Sequence, residues 1–192
     1  MGHRPRLTAG RSYGQREAVA SALDLVGDRW TLLIVRELLF GPRRWTELLA
    51  NLGGIGKNLL AQRLRELDEA GLVTSATLPW ASSRTRLYAL TDHAGDVERV
   101  VFALARAGAG GVPDAGDARP EWAVLAWAAA RDDATARRDG TTHVCVDGEW
   151  FTVTRDRQGD RRARRGQTGR ARTVVEATTD ELFALAQRRT QR

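Results

Sequence analysis

Apolar side chains return at intervals of three and four through the first half of this chain, and beyond a glycine-rich break they alternate with polar ones. The first spacing buries one face of a helix and the second one face of a strand, so the pattern predicts a mainly helical first part and a mixed second part. Ala18, Val19, Ala22, Leu25 and Val26 outline a helix that stops at Gly27. Asp28 then stands where the next helix needs an N-cap, and that helix runs to Phe40 before Gly41-Pro42. Trp45, Leu48, Leu49 and Leu52 mark one face of a short third helix. Gly53, Gly54 and Gly56 surround Ile55, which permits a sharp corner anchored by one apolar side chain. A fourth helix follows with Leu60, Leu64 and Leu67 on its buried stripe and Gly71 at its C-terminal end.

Two helices joined at such a corner form a helix-turn-helix. Between the leucines of the second stand Lys57, Asn58, Gln62, Arg63 and Arg65, whose donors suit base edges in a major groove or phosphate oxygens. An amphipathic hairpin with a solvated polar face has the same periodicity, and the residues that follow separate the two readings. Leu72-Val73-Thr74, the turn-rich Pro79–Arg84 and the strand pattern Thr85-Arg86-Leu87-Tyr88-Ala89-Leu90 predict a β-hairpin wing. Tyr88 and Leu90 share the face that packs on the domain, while Arg84 and Arg86 have the same parity nearer the tip, within reach of a phosphate backbone. The expected DNA contacts are therefore Arg44, Lys57, Asn58, Gln62, Arg63, Arg65, Arg84 and Arg86. Thr91-Asp92 caps one more helix, whose stripe of Val97, Val100, Val101 and Leu104 suits either packing on its own domain or a dimer surface.

Asp24-Leu25-Val26-Gly27-Asp28-Arg29-Trp30 with the run to Leu38, Gly41-Pro42-Arg43-Arg44-Trp45-Thr46-Glu47-Leu48, Gly54-Ile55-Gly56 and Tyr88-Ala89-Leu90-Thr91 resemble the HxlR-type winged helix-turn-helix regulators, relatives of the MarR class. The resemblance spans residues 13–106. It implies a bacterial transcription factor that binds operator DNA as a homodimer, with the 97–104 stripe and the first helix at the dimer surface. Such a dimer presents two recognition helices to half-sites about one helical turn apart. Repression by occlusion of a promoter follows from that, and activation is equally compatible. Two departures matter. Members often carry a cysteine before the first helix, whereas this chain has Gln15-Arg16-Glu17-Ala18-Val19, which excludes thiol sensing at that point. The recognition helix opens with Gly56-Lys57-Asn58 where many members have Ser-Pro, so the operator sequence does not carry over.

Residues 107–120 break the pattern with Gly108, Gly110, Gly111, Gly116, Pro113 and Pro120, and read as a linker. A small α+β domain over 121–192 is expected beyond it, opening with a helix from Glu121 to Ala130. Thr142–Val146 and Glu149–Val153 flank Asp147-Gly148, the preferred two-residue hairpin turn. That turn sets Val146 opposite Glu149, Cys145 opposite Trp150, Val144 opposite Phe151 and His143 opposite Thr152. One face is then apolar, with Val144, Val146, Phe151 and Val153; the other carries His143, Cys145, Trp150 and Thr152. Strands over Arg161–Arg165 and Arg172–Ala177 and a helix from Thr179 with Leu182, Phe183, Leu185 and Ala186 complete the order. This arrangement resembles the sterol-carrier-type domains appended to some HxlR-like regulators, which implies a small apolar effector. Trp122, Trp127, His143, Cys145 and Trp150 are the candidate effector-lining residues. The short length leaves a reduced pocket or a pure dimerisation element equally open.

Composition narrows the picture. In a chain of 192 residues, 42% hydrophobic content suffices for packed cores, and a net charge of +6 agrees with a polyanionic partner. The charge carries little weight, because every basic residue but Lys57 is arginine, which with so much alanine points to a compositional bias of the coding genome. No apolar run approaches the ~20 residues of a bilayer span. Trp30–Phe40 is too short and holds Arg36 and Glu37, and the flexible residues 1–12 lack the apolar centre of a secretion signal. A cytoplasmic protein without a membrane partner is expected, in keeping with its single cysteine.

His143 and Cys145 sit two apart, yet zinc needs three or four ligands and the remaining histidines are His3 and His93. No metal, cofactor or catalytic activity is therefore expected. Arg161-Arg162-Ala163-Arg164-Arg165 reads as a charged edge strand before it reads as a nucleic-acid contact. Two rivals to the regulator remain: a winged-helix protein-interaction platform without sequence-specific DNA binding, and an enzyme acting through His143 or Cys145.

Overall fold

The first helix, α1 (Ala18–Val26), starts where the Glu17 carboxylate accepts the amide protons of Val19 and Ala20. In this computed structural model residues 12–77, 86–113, 115–131, 140–156 and 158–190 are described, and the chain divides into two units, Met1–Val97 and Glu98–Arg192. Helix α2 (Thr31–Leu39) follows, without the side-chain cap expected from Asp28. The Asp28 carbonyl accepts the Thr31 amide at 3.0 Å, while its carboxylate pairs with Arg63. A two-residue strand β1 (Arg43–Arg44) leads into α3 (Trp45–Asn51), and after the turn α4 (Lys57–Glu69) packs Leu60, Leu64 and Leu67 into the core. At roughly 1.5–3 kcal/mol for each buried leucine, that stripe fixes the rotation of α4 about its axis. Gly54 turns the corner at φ 95°, and Ile55 is buried beside it.

The end of α4 is a Schellman motif. Gly71 takes φ 70°, its amide donates to Asp68 at 2.9 Å and the Leu72 amide donates to Leu67 at 2.9 Å, with both leucines buried. Strands β2 (Val73–Thr77) and β3 (Arg86–Leu90) form the wing, with Val73 opposite Leu90 and Thr77 opposite Arg86. β1 adds to the other side of β3, with Arg44 opposite Leu87, giving the order β1-β3-β2. The Thr91 hydroxyl then donates to the Gly71 carbonyl at 2.6 Å, tying the end of the wing to the end of α4. The expected wing tip, Pro79–Arg84, lies outside the described residues.

Helix α5 (Gly95–Gly108) crosses the division between the units and continues into a 3-10 turn at Ala109–Gly111. The residues from Ala107 to Gly111, read above as the start of a linker, are thus helical. Ala109 is buried against Ala126, Ala130 and Ala186, and Gln187 donates to the Val112 carbonyl at 3.0 Å. Glycine spacing misleads here because a helix that ends in small residues can bring its end close against other helices.

The second unit holds α6 (Pro120–Ala130), β4 (Gly140–Val146), β5 (Glu149–Arg155), β6 (Arg161–Arg165), β7 (Thr173–Ala177) and α7 (Thr179–Thr190). Its sheet has the order β6-β5-β4-β7, antiparallel except for the parallel pair β4–β7. The hairpin register is the one expected: Val146 faces Glu149 and His143 faces Thr152, around a turn with φ 50° at Asp147 and 83° at Gly148. The Asp147 carboxylate accepts the Thr179 hydroxyl at 2.6 Å and the Thr179 amide at 3.2 Å, so the turn also holds the start of α7. Val144, Val146, Phe151 and Ala163 are fully buried on the apolar face. Alternate residues of β6 hold α6 there: Arg165 reaches Glu121 in the first turn at 3.1 Å, and Arg161 donates to the Arg131 carbonyl at the other end.

Among the described residues of the first unit one charged side chain is fully buried. Glu37 of α2 has no solvent exposure; its Oε1 accepts Arg36 Nε at 3.0 Å and Nη2 at 2.8 Å, and its Oε2 accepts Asn51 Nδ2 at 2.9 Å. The carboxylate thereby joins α2 to the last residue of α3. Glu37→Ala leaves Asn51 and Arg36 without this acceptor and is expected to lower stability by about 2–3 kcal/mol, with Glu37→Gln losing less, as read by urea unfolding.

Candidate nucleic-acid interface

With the leucine stripe of α4 inward, its 100° step per residue sends Asn58, Gln62 and Arg65 to the opposite arc, while Lys57, about 60° from Leu60, lies clear of the core because it opens the helix; all four are exposed. They occupy the first two and a half turns, whereas the acidic Asp68 and Glu69 fall at the far end. Gly56 at the N-cap supplies no side-chain cap, so first-turn amides remain available to water or to a phosphate oxygen. Trp30 lies against Gly54, and Arg29 stacks over the Trp30 ring with its guanidinium 5.5 Å from the centroid. The turn before α4 is thus braced by the segment that precedes α2.

Arg63 stands apart from that row. It is half-buried, and its Nη1 pairs with Glu66 at 2.6 Å and with Asp28. Glu66 also accepts Gln62 Nε2 at 2.9 Å, which orients the Gln62 amide. The network Asp28–Arg63–Glu66–Gln62 therefore links the loop before α2 to the exposed arc of α4. Nothing in local periodicity shows it, since Asp28 and Arg63 are far apart in the chain.

Arg44 is exposed at the start of α3, where its amide donates to Glu47 Oε2 at 2.7 Å. It sits opposite Leu87 in the wing sheet, one residue from the exposed Arg86. The strand that places Arg44 there is not legible from alternation, because it is only Arg43–Arg44. Arg84 lies outside the described residues.

The residues expected to line an effector site are not brought together. Trp127 is buried and Trp122 half-buried on α6, each with an arginine over its ring, Arg131 at 4.8 Å and Arg119 at 5.4 Å. His143, Cys145 and Trp150 lie on the sheet face turned away from α6, because strand alternation opposes them to Val144 and Phe151. There His143 Nε2 donates to the Thr168 carbonyl at 3.3 Å, and Thr152 Oγ1 donates to the Gly166 carbonyl at 2.7 Å and accepts the Thr168 amide at 2.9 Å. The β6–β7 loop thus closes over that part of the face. A cleft of about 350 Å³ lined by Val112, Pro113, residues 115–118 and by Asp180, Phe183, Ala184 and Gln187 contains none of the five. Among the described residues no cluster of His, Cys, Asp or Glu is suited to a metal ion, and no helix is long and apolar enough to cross a membrane.

The model of the HxlR-like helix-turn-helix family matches residues 25–113. Over 82 residues, 43% of this chain, the sequence is 35% identical to the HTH-type transcriptional regulator YodB of Bacillus subtilis and covers 71% of that protein. The chain belongs to the HxlR-like helix-turn-helix family. It is also 45% identical over 89 residues to an uncharacterized HTH-type transcriptional regulator of Mycobacterium tuberculosis, a match of 46% of this chain and 54% of the relative, so it spans about half that protein's length. The solved reduced form of YodB from B. subtilis aligns with 50% of this chain and 93% of its own at 34% identity, with a TM-score of 0.41. The family match ends near the close of α5, and the sheet of the second unit lies beyond it.

Within this HxlR-like unit, Arg63 is assigned to positioning by its ion pairs. A double-mutant cycle on Asp28→Ala and Arg63→Ala is expected to give a coupling of about 0.5 kcal/mol, modest because Asp28 is half exposed, as read from unfolding midpoints.

Proposed function

We propose that this protein is a transcription regulator that binds operator DNA as a homodimer. The observation that carries the reading is the row Asn58, Gln62 and Arg65, exposed together with Lys57 of the first turn on a helix whose other face is locked in a core and whose turn precedes a β wing. Membership of a family whose relatives are named transcriptional regulators supports it. In this reading α4 enters the major groove by its N-terminal half, keeping Asp68 and Glu69 away from the phosphates. Lys57, Asn58, Gln62 and Arg65 meet base edges or phosphate oxygens, while Arg44 and Arg86 hold the backbone on the wing side. Arg63 acts through Asp28 and Glu66, orienting the helix and Gln62. No catalytic role is proposed for any residue.

Two helices carry exposed apolar pairs one turn apart, Val19 and Leu23 on α1 and Val100 and Leu104 on α5. A soluble monomer gains nothing by exposing such pairs on two helices, and a second copy would cover them. Leu23→Glu combined with Leu104→Glu is expected to shift the sedimentation of the chain from dimer toward monomer. An unchanged sedimentation profile would remove these helices from the dimer surface.

DNA binding is tested with fluorescence anisotropy on the duplex upstream of the protein's own coding sequence, across a series of salt concentrations. Lys57→Ala/Gln62→Ala is expected to abolish selectivity over an unrelated duplex. Arg44→Ala/Arg86→Ala should retain selectivity while lowering the slope of log K against log salt by about 0.9 for each phosphate no longer neutralised. Weak binding to every duplex, unchanged by the first variant, would favour an interaction platform instead.

A further inference from the structure

Arg99, Phe102, Ala103 and Arg106 stand at i, i+3, i+4 and i+7 along α5, which places them on a single face of the helix. That face borders a cleft of about 180 Å³, closed on its other sides by Ala129 in the last turn of α6 and by the turn residues that lead into β6 at Arg161. All of these residues belong to the second unit. Phe102 and Ala129 are buried, whereas Ala103 and Arg106 are exposed.

The rim of the cleft is fixed by hydrogen bonds. The Asp156 amide donates to the Asp160 carbonyl at 3.0 Å, the Asp160 amide to Asp156 Oδ1 at 2.9 Å and the Gly159 amide to the Asp156 carbonyl at 3.1 Å, so the turn before β6 is closed on itself. Gly159 lines the cleft at φ 92°, a conformation that a side chain would strain. From this turn the Asp160 carboxylate accepts Arg99 Nη1 at 2.7 Å, and Arg161 donates to the Arg131 carbonyl just past α6. Two guanidiniums are thus held at the cleft by their own partners. Arg106, the third, makes no hydrogen bond or ion pair among the described residues. Three guanidiniums against the one carboxylate of Asp160 give the wall an excess of positive charge, which attracts an anion.

We propose that this cleft binds a small organic carboxylate about one ring in size, its head group on Arg106 and its apolar body against Phe102, Ala103 and Ala129. The wall selects the class. A carboxylate matches the planar fork of a guanidinium through two parallel hydrogen bonds, and a neutral ligand of the same shape gives Arg106 no counter-charge. Inorganic phosphate would satisfy the arginines and leave the apolar side of the cleft unused. The volume sets the size, because a cavity of about 150 Å³ accommodates one benzene ring. None of the five residues expected from sequence to line an effector site takes part, and the site stands whether or not the protein binds DNA.

The test titrates the full chain with benzoate, benzamide and inorganic phosphate, followed by calorimetry and ligand-observed NMR. Benzoate is expected to bind saturably, with benzamide and phosphate each at least about tenfold weaker. Arg106→Gln should weaken benzoate about tenfold by removing the charged fork, and Ala103→Leu should block the cleft by filling it. Both positions are exposed, so neither substitution disturbs the core. Arg162→Gln, on the solvent side of β6, is the control and should leave the affinity unchanged. Absence of saturable benzoate binding, or equal weakening by Arg162→Gln and Arg106→Gln, would overturn the site. Benzamide or phosphate binding as tightly as benzoate would overturn the assignment to an organic carboxylate.

Discussion

A helix that commits Leu60, Leu64 and Leu67 to a core has no freedom over which side chains it offers to solvent. That constraint organises the first unit. The leucines set the rotation of α4, the Schellman turn at Gly71 sets where it stops, and the Thr91 hydroxyl on the Gly71 carbonyl makes the wing return to the same point. Glu37 and Asp28 act on the other side of the motif, one joining α2 to α3 and the other holding α4 through Arg63. The exposed polar arc is therefore a consequence of packing. Its chemistry can change from one relative to another while the leucines that aim it stay the same.

The second unit uses arginine differently at different positions of one strand. Arg161 and Arg165 point toward α6 and engage its two ends, where a helix offers carbonyl oxygens at one terminus and an acidic first turn at the other. Arg162, of opposite parity, faces solvent. A run of four arginines is thus a pair of helix clamps interleaved with edge charges. Net charge alone does not reveal this division; strand parity does.

What can be read from sequence follows the range of the interactions. The Asp147-Gly148 hairpin is legible to the residue pair because two adjacent positions and a period of two decide it. The leucine stripe and Gly71 are legible because caps and helical periods are local. β1 escapes such a reading because two arginines have no alternation to detect, and the side-chain cap expected of Asp28 gives way to a pairing with Arg63 that no window contains. The linker fails for a different reason. Glycine and alanine at 107–111 mark close helix contact as readily as they mark coil, and only the presence of α6 and α7 distinguishes the two. The effector residues fail on parity: His143, Cys145 and Trp150 face away from the helix that holds Trp122 and Trp127.

The Asp147 turn bears on the order in which the second unit assembles. β4 and β5 are joined by two residues, so their hairpin closes locally on a timescale of about 1–10 μs. β7 must close a far longer loop before it lies parallel to β4, and loop-closure entropy delays such a contact. Once the hairpin exists, its turn presents the Asp147 carboxylate as a ready acceptor for Thr179, two residues past the end of β7. The early hairpin thus carries the latch for a strand that joins it from far along the chain and forms one edge of the completed sheet.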